Sequence, residues 1–314
     1  MQVNEPKIVV LGTGGTIAGT GRDAQDHVGY QSAQLGVQAL LAAVPALQPW
    51  SLEVEQVGQV DSKDMDFGLW RTLAQRCAHW CSQPDVSGVV ITHGTDTLEE
   101  TAFFLHSVLE TGKPVVLTCA MRPATALAAD GPQNLLDAVA VAAAHGARGV
   151  LVVCAGVVHS ARAVSKRHPY RLDAFTSGES GPVGYVEEGR LRRVRDWPQP
   201  ALGARQAAER VAARTGAWPR VEIVMNHAGA DGGIVRALQA HGVEGIVVAG
   251  TGNGTLSAAL EQALLQVAAL GVRVVRSTRC VEGVVLPHPG QELPDSLGLS
   301  PVKARVAMLL ELLD

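Results

Sequence analysis

The stretch IVVLGTGGTIAGTG (residues 8–21) joins an apolar run to a turn rich in glycine and threonine. The apolar start predicts a buried β-strand, and the glycines that follow predict a tight turn. Such a turn often holds a phosphate group, but this one also presents the hydroxyl groups of Thr13 and Thr16. The stretch therefore predicts either a nucleotide-binding loop or a reactive threonine at the end of a strand.

The spacing of the glycines weakens the nucleotide hypothesis. A dinucleotide fingerprint requires Gly-x-Gly-x-x-Gly, and a Walker loop requires Gly-Lys followed by Ser or Thr. Gly12 and Gly14 fit the first pattern, but its third position is Ile17, and no Gly-Lys follows. The stretch is therefore better interpreted as a loop that presents a reactive threonine, Thr16, than as a nucleotide-binding loop.

Outward from this stretch, short apolar strands alternate with amphipathic helices. The strands predicted within the first 155 residues are KIVVLG, LEVEQVG, SGVVITHG, PVVLTCA and GVLVVCAG. The first two are joined through a predicted helix, SAQLGVQALLAAV, and similar segments separate the others. This alternation is typical of βαβ units with a mainly parallel sheet. The stretch VGYVEEGRLRRV then predicts a hairpin that turns at Glu188 and Gly189.

The alternation is interrupted once, which defines the predicted domains. Residues 196–218 contain prolines and scattered polar groups without a clear strand, and then the α/β pattern resumes. The sequence thus predicts an α/β protein with a larger N-terminal catalytic domain (1–195), in which helices flank a mainly parallel sheet. A connector (196–218) and a smaller C-terminal α/β domain (219–314) follow.

Composition excludes several classes of function. The 314 residues are 47% hydrophobic and 18% charged with a net charge of −4, which gives no general attraction to nucleic acid or membranes. The basic stretch GRLRRVR indicates a solvated face rather than a nucleic-acid patch. No apolar region is unbroken enough for a membrane span. In CAHWC, helix packing is favoured over a metal site, and we predict no metal or cofactor.

The compartment is predicted from the cysteines and the N-terminus. Five cysteines, an odd number mostly in apolar context, are typical of reduced, buried thiols. The start MQVNEPKIVV lacks the pattern of a secretory signal. We expect a cytoplasmic protein, or a periplasmic one if a signal peptide has been removed.

Polar side chains follow several of the predicted strands. LEVEQVG leads to DSKDMD (61–66), SGVVITHG to Thr95, Asp96 and Thr97, and GVLVVCAG, after some residues, to Lys166. Ligands bind at the carboxyl ends of the strands in such sheets. Each residue also has a structural interpretation. Thr97 can begin a capping box, Ser62 can cap a helix, Asp96 can complement a helix dipole, and Lys166 can be a solvated lysine. Together they indicate acyl transfer on an amide without histidine.

Long motifs in these loops resemble those of the bacterial-type L-asparaginase family. The matching segments are TGGTIAG (13–19), ITHGTDTLEETAFFL (91–105), AMRP (120–123), DGPQNL (130–135) and GNG (252–254). The resemblance runs from residue 7 to the C-terminal KARV segment. It implies the hydrolysis of L-asparagine to L-aspartate and ammonia.

The resemblance also implies roles for individual residues. The catalytic set is Thr16 as the nucleophile, Tyr30 as its activator, and Thr95, Asp96 and Lys166 as a proton relay. The substrate-binding set is Ser62, Lys63, Thr95, Asp96, Ala120 and Asn253. The family further implies a homotetramer of close dimers, in which active sites borrow residues, Asn253 among them, from the neighbouring subunit. Residues 20–30 are predicted to close as a lid.

Two departures from the family pattern leave alternatives open. The family often has glutamine after the binding serine, whereas this chain has Lys63. A cation there favours a substrate carboxylate but repels a nearby α-ammonium group. Secondly, the segment CVEGVVLPHPGQELPD is shorter than usual in the family, so Glu282 and Glu292 are both candidates for the glutamate contributed by the neighbouring subunit. A broader glutaminase-asparaginase and a non-catalytic amino-acid-binding sensor therefore remain as alternative functions.

Overall fold

The computed structural model describes residues 6–313. Residues 1–5 and 314, the outer ends of the two predicted domains, lie outside the described residues. The chain divides into two compact units with a boundary between Ala208 and Glu209.

The N-terminal unit combines ten strands with five helices, the last of which spans the boundary. The strands are β1 (Lys7–Gly14), β2 (Leu52–Val60), β3 (Val86–Thr92), β4 (Pro114–Thr118), β5 (Gly149–Cys154), β6 (Val157–Ser160), β7 (Ser165–Lys166), β8 (Phe175–Thr176), β9 (Gly184–Glu187) and β10 (Arg190–Arg193). The helices are α1 (Val37–Ala42), α2 (Phe67–Ser82), α3 (Leu98–Val108), α4 (Gly131–Ala142) and α5 (Ala204–Ala213).

Eight of these strands form one sheet, in the order β10-β9-β6-β5-β4-β3-β1-β2. Strands β2, β1, β3, β4 and β5 are mutually parallel, whereas β6, β9 and β10 pair antiparallel. The chain reverses its direction of progress across the sheet between β1 and β3. Ligands bind outside the carboxyl ends of parallel strands at such a switch point. The topology therefore directs attention to the loops after β1 and β3.

The apolar runs of the sequence explain the centre of this sheet. Ile8, Val9, Val10 and Leu11 of β1 are all at most 2% exposed, because both faces of the strand are covered. Full burial of such a side chain contributes about 1.5–3 kcal/mol. The edge strand β2 has only partly buried and exposed residues instead. The continuous apolar run thus marks the central strand that carries the first loop.

The predicted α/β fold with a mainly parallel sheet is confirmed, but local features differ, among them the two-residue strands β7 and β8, which the sequence did not predict. The first helix was predicted over residues 32–44 and covers only Val37–Ala42, because Gly36 is extended before it and Pro45 follows closely. The strand β6 was missed. It pairs with β5 through a two-residue turn at Ala155 and Gly156, both with positive φ.

The basic stretch GRLRRVR lies on the edge strand β10. Arg192 pairs with Glu187 across the predicted hairpin at 2.6 Å and lies over the ring of Tyr185. Charged side chains on an edge strand discourage pairing with another sheet. The arginines therefore have a structural explanation in the fold.

The C-terminal unit is a smaller parallel α/β arrangement. Its strands are β11 (Val221–Met225), β12 (Gly245–Gly250) and β13 (Arg273–Thr278), in the order β11-β12-β13. Its helices are α6 (Gly233–Ala240), α7 (Ala258–Ala269) and α8 (Pro301–Glu311). Leu260 and Leu264 of α7 pack with Ile246 and Val248 of β12 in its core. The second α/β unit expected from the sequence is present.

Candidate active site

The loop after β1 presents Thr16 as the sequence predicts. Gly14 and Gly15 have φ values of +102° and +81°, and a short 3-10 helix, Thr16–Ala18, follows. Thr16 is 7% exposed, and its Oγ1 lies 2.6 Å from the hydroxyl oxygen of Tyr30. The predicted nucleophile and its predicted activator therefore share a hydrogen bond.

The loops after β1 and β3 touch through two glycines. A Cβ on Gly15 would lie 2.3 Å from the Cα of Gly94, and a Cβ on Gly94 would lie 2.5 Å from the Oγ of Ser62. No side chain fits at such distances, and Gly15 has a positive φ that also favours glycine. The glycines of the opening stretch thus allow a close approach between the backbones that carry Thr16 and Thr95.

Thr95, Asp96 and Lys166 form a second hydrogen-bonded cluster. Lys166 Nζ donates to Thr95 Oγ1 at 2.8 Å and to Asp96 Oδ1 at 2.6 Å. Thr95 is 6% exposed, and the Lys166 side chain is 18% exposed. An ammonium group held between a hydroxyl and a carboxylate is a charge-assisted arrangement. The structure brings together the three residues of the predicted relay.

Ser62 joins the loop after β2 to this cluster. It is 2% exposed, and its Oγ accepts a hydrogen bond from the backbone N–H of Asp96 at 3.1 Å. Its carbonyl accepts from the Thr97 hydroxyl at 2.7 Å. The capping interpretations of Ser62 and Thr97 are therefore wrong, since Thr97 makes no cap bond to α3 and Asp61 caps the turn that contains Ser62.

Lys63 lies beside Ser62 but is paired with carboxylates. Its Nζ is 2.7 Å from Asp64 Oδ2 and 3.3 Å from Asp61 Oδ2. Hydrogen bonds from Asp64 and then Asp61 raise the pKa of Lys63 above its ordinary value. The side chain is 61% exposed, so solvent screens these pairs. The two carboxylates offset the positive charge that we expected to act on a substrate.

The backbone around Ala120 is fixed by the DGPQNL motif. Asp130 accepts hydrogen bonds from the N–H groups of Met121 and Arg122, both at 2.9 Å. Asn134 Nδ2 donates to the carbonyl of Cys119 at 2.9 Å. These bonds hold the peptide groups on both sides of Ala120. A carbonyl at this position can therefore be presented in a fixed direction.

Residues 20–30, the segment predicted to close as a lid, make hydrogen bonds to two other loops. A bridge joins Thr20 to Gln31, and the N–H of Gly21 donates to Thr125 Oγ1 at 2.8 Å. His27 Nδ1 lies 3.2 Å from the Tyr170 hydroxyl oxygen. Both hydrogen bonds are exposed, and closure of the segment as a lid stays a prediction. Tyr30 lies within this segment, so movement of the segment would separate it from Thr16.

Asn253 belongs to the C-terminal unit. Its Nδ2 donates to the Leu286 carbonyl at 3.0 Å, and its Oδ1 accepts from the Leu286 N–H at 2.7 Å. Glu282 and Glu292, between which the sequence could not decide, are both exposed. The role of Asn253 in a neighbouring subunit's site stays a prediction.

Two polar residues near the site were missed by the sequence reasoning. Glu99 Oε1 accepts from the backbone N–H of Lys166 at 3.2 Å. His93 is fully buried, its Nδ1 lies 2.7 Å from the Gly94 carbonyl oxygen, and burial lowers its pKa to about 4. Both lie in the second motif, where capping and packing offered sufficient explanations for a glutamate and a histidine. The sequence alone does not reveal that Glu99 and His93 lie close to the site, because this depends on which strands are neighbours in the sheet.

Residues 6–313 contain no cluster of side chains suited to hold a metal ion. In CAHWC, Cys77 is buried in α2 and burial raises the pKa of its thiol. No helix in the same part of the chain is both long and apolar enough to cross a bilayer.

Comparisons with known proteins match the whole of this architecture. The family profile "Asparaginase, N-terminal" matches residues 7–199, and "Glutaminase/Asparaginase C-terminal domain" matches residues 220–313. The chain is 40% identical to "L-asparaginase 2" of Escherichia coli (strain K12), covering 98% of this chain and 89% of that protein. It is 38% identical to "Glutaminase-asparaginase" of Pseudomonas fluorescens biotype A, over 97% and 86% of the two.

A solved structure agrees with these relatives. The structure "Probable Cytoplasmic L-asparaginase from Campylobacter jejuni" superposes with a TM-score of 0.89 at 36% identity, and the match covers 98% of this chain and 94% of that one. The sequence identity, the fold and the profiles of both domains thus indicate the same family. The chain belongs to the asparaginase family.

Proposed function

We propose that the protein is an L-asparaginase, an amidohydrolase that converts L-asparagine to L-aspartate and ammonia with Thr16 as the nucleophile. The observation that carries this proposal is that two threonine hydroxyls, each with its own hydrogen-bond partner, lie in the loops at the switch point of the sheet. Thr16 is bonded to Tyr30 at 2.6 Å, and Thr95 is bonded to Lys166 at 2.8 Å. The loops that carry them touch at Gly15 and Gly94. The names of the relatives support the same activity.

In the first half-reaction, the Thr16 oxygen attacks the carbon of the side-chain amide. A threonine hydroxyl is a weak nucleophile until a neighbouring group takes its proton. Thr16 donates to the Tyr30 oxygen, and Tyr30 passes a proton on to the leaving nitrogen, which departs as ammonia. Backbone N–H groups of the glycine turn stabilise the negative charge that develops on the carbonyl oxygen. An aspartyl ester of Thr16 remains.

In the second half-reaction, water attacks this ester. Thr95 orients the water, and the relay of Thr95 and Lys166 passes the water's proton to the Asp96 carboxylate. The Thr16 oxygen regains a proton as the C–O bond breaks, and aspartate leaves. A version in which Thr95 activates water for direct attack on the amide differs because no ester forms.

The substrate is held by groups around these hydroxyls. Ser62 and Asp96 bind the α-carboxylate and α-ammonium groups, and the Ala120 carbonyl accepts from the side-chain amide. Lys63 lies next to Ser62, but its pairing with Asp61 and Asp64 reduces the charge that it offers to the substrate carboxylate. The hydrogen bonds that fix Ser62 against Asp96 and the peptides flanking Ala120 support these roles.

The proposed assembly is a homotetramer built from close dimers, in which Asn253 of one subunit completes the site of its neighbour. Sedimentation velocity at several concentrations measures this state directly. A tetramer is expected, and a protein that remains a fully active monomer would contradict both the assembly and the shared site. For the compartment we propose the cytoplasm, on the strength of five cysteines without a disulfide among them. Cell fractionation tests it, and recovery in the periplasm would overturn it.

A glutaminase-asparaginase is the second candidate, because a relative of 38% identity carries that name. The two functions share the site and differ only by one methylene in the substrate. Such a difference in a pocket changes discrimination by about 10–200-fold. Comparing kcat/KM for asparagine and glutamine separates them.

The decisive experiment is ammonia release from both amides by the wild type, Thr16→Ala and Thr72→Ala. Thr72 is an exposed threonine of α2 that donates to the carbonyl of Gly68, so it is a matched control. We expect release by the wild type and the control, faster with asparagine, and none above background by Thr16→Ala. Full activity in Thr16→Ala would refute the assignment. Tight binding of asparagine without turnover by the wild type would establish the sensor instead.

A further inference from the structure

Lys166 lies on a very short element. The strand β7 contains two residues and pairs only with the two residues of β8, in a sheet separate from the main one. The next hydrogen bond along this pair runs from the Arg167 N–H to the Ala174 carbonyl. The main sheet therefore does not fix the backbone of Lys166, although its Nζ must lie within hydrogen-bonding distance of Thr95.

Glu99 supplies a second attachment for this lysine. It lies in the first turn of α3, directly after the loop with Thr95 and Asp96, and its Oε1 accepts from the Lys166 N–H at 3.2 Å. Lys166 is thus bound at its backbone by Glu99 and at its Nζ by Thr95 and Asp96. All three acceptors belong to the segment 95–99, so the lysine and the loop are held as one unit.

The burial of the Glu99 carboxylate argues against a simple role in the helix dipole. Its Oε2 is buried and has no hydrogen-bond partner among the described residues. A carboxylate oxygen left unpaired in the interior costs free energy. A favourable contact with the helix N-terminus does not require that burial, and Glu100 provides a second carboxylate in the same turn. The position of Glu99 is therefore explained by its contact with Lys166.

We propose that Glu99 is a positioning residue of the active site, which acts by fixing the backbone of Lys166 and hence the place of its ammonium group beside Thr95. This role rests on the proposed function, since it concerns the lysine of the relay. The hydrogen bond matters because a misplacement of about 1 Å in a catalytic group can cost up to about 100-fold in rate.

Two conservative variants separate geometry from charge. Glu99→Gln keeps the acceptor oxygen and removes the charge, and its NH2 group takes the place of the unpartnered Oε2. Glu99→Asp keeps the charge and withdraws the acceptor by one methylene. We expect Glu99→Gln to retain kcat within about threefold of the wild type, and Glu99→Asp to lower kcat about 10-fold or more with KM unchanged.

The same two substitutions at Glu100 are the matched controls, because Glu100 is in the same helical turn. Both are expected within about twofold of the wild type in kcat, and thermal unfolding checks that all four variants fold. Wild-type kcat in Glu99→Asp, a lower kcat in Glu99→Gln than in Glu99→Asp, or an equal loss at Glu100 would each overturn the positioning role. A wild type that releases no ammonia would refute the proposed function instead.

Discussion

The two threonines after β1 and β3 are equally buried but are held in opposite ways. Thr16 and Thr95 are 7% and 6% exposed. The Thr16 hydroxyl is paired with the neutral hydroxyl of Tyr30, whereas the Thr95 hydroxyl accepts from the ammonium group of Lys166. A hydroxyl oxygen that accepts from an ammonium group is a poorer nucleophile, whereas the Thr16 hydroxyl can donate to the Tyr30 oxygen, since either hydroxyl of that pair can be the donor. This difference supports the proposal that Thr16 attacks and Thr95 transfers a proton.

The largest expected effect comes from removing the two hydroxyls separately. Thr16→Ala is expected to lower kcat by about 10⁴-fold or more, because no acyl acceptor remains. Thr95→Ala is expected to lower kcat by about 10²- to 10³-fold, since the relay is damaged but the nucleophile stays. Steady-state ammonia release measures both. The reverse order of losses would break the assignment.

The substitution Lys166→Met tests the role of the ammonium group that is bonded to Thr95. It removes the ammonium group bonded to Thr95 and Asp96 but keeps most of the apolar stem. We expect kcat to fall by about 10²- to 10³-fold, with KM changed much less, because the group moves a proton rather than binding substrate. A variant with wild-type kcat would show that the cluster is only structural.

His93, which directly follows β3, makes the stability of this loop dependent on pH. Burial lowers the pKa of His93 from 6.5 to about 4, so the unfolded chain takes up a proton first as the pH falls. The contribution of His93 to the free energy of unfolding is therefore fully present above pH 6.5. It falls by about 3 kcal/mol as the pH decreases to about 4. Denaturant titrations of the wild type and His93→Asn isolate this contribution. A difference between the two proteins that stays constant with pH would contradict a buried neutral imidazole.

The smallest of these effects is expected for Tyr30→Phe, which removes the hydroxyl 2.6 Å from Thr16. Because water can replace this hydroxyl in part, we expect a loss of only about 10- to 100-fold in kcat. Stopped-flow measurement of the ammonia burst locates the loss in the first half-reaction. An unchanged burst with slower turnover would move Tyr30 to the second half-reaction and weaken the contrast between the clusters.

The fold was largely predictable because its periodicities are local. Continuous apolar runs predicted the central parallel strands, and Glu188-Gly189 predicted a hairpin that the structure contains. The turn at Ala155-Gly156, also with two positive φ values, was missed because it lies inside the apolar run VLVVCAGVV, whereas the polar Glu187-Glu188 marks the other turn. The difference lies in residue chemistry, since both turns join antiparallel strands.

The site was predictable only in part. Strand ends placed Ser62, Thr95, Asp96 and Lys166 at one edge, and the family resemblance added Tyr30. Contacts between side chains on different strands have no local signature. The contact of Glu99 with Lys166 therefore emerges only from the folded chain.

The most direct test of the central claim is chemical trapping of the nucleophile. Wild-type protein is mixed with asparagine, quenched in acid within milliseconds, digested and examined by mass spectrometry. Our account predicts an aspartyl ester on the peptide that contains Thr16 and a matching burst of ammonia. It predicts no adduct at Thr95. Turnover at the wild-type rate with neither burst nor ester at Thr16 would contradict the account and favour direct attack by water activated at Thr95.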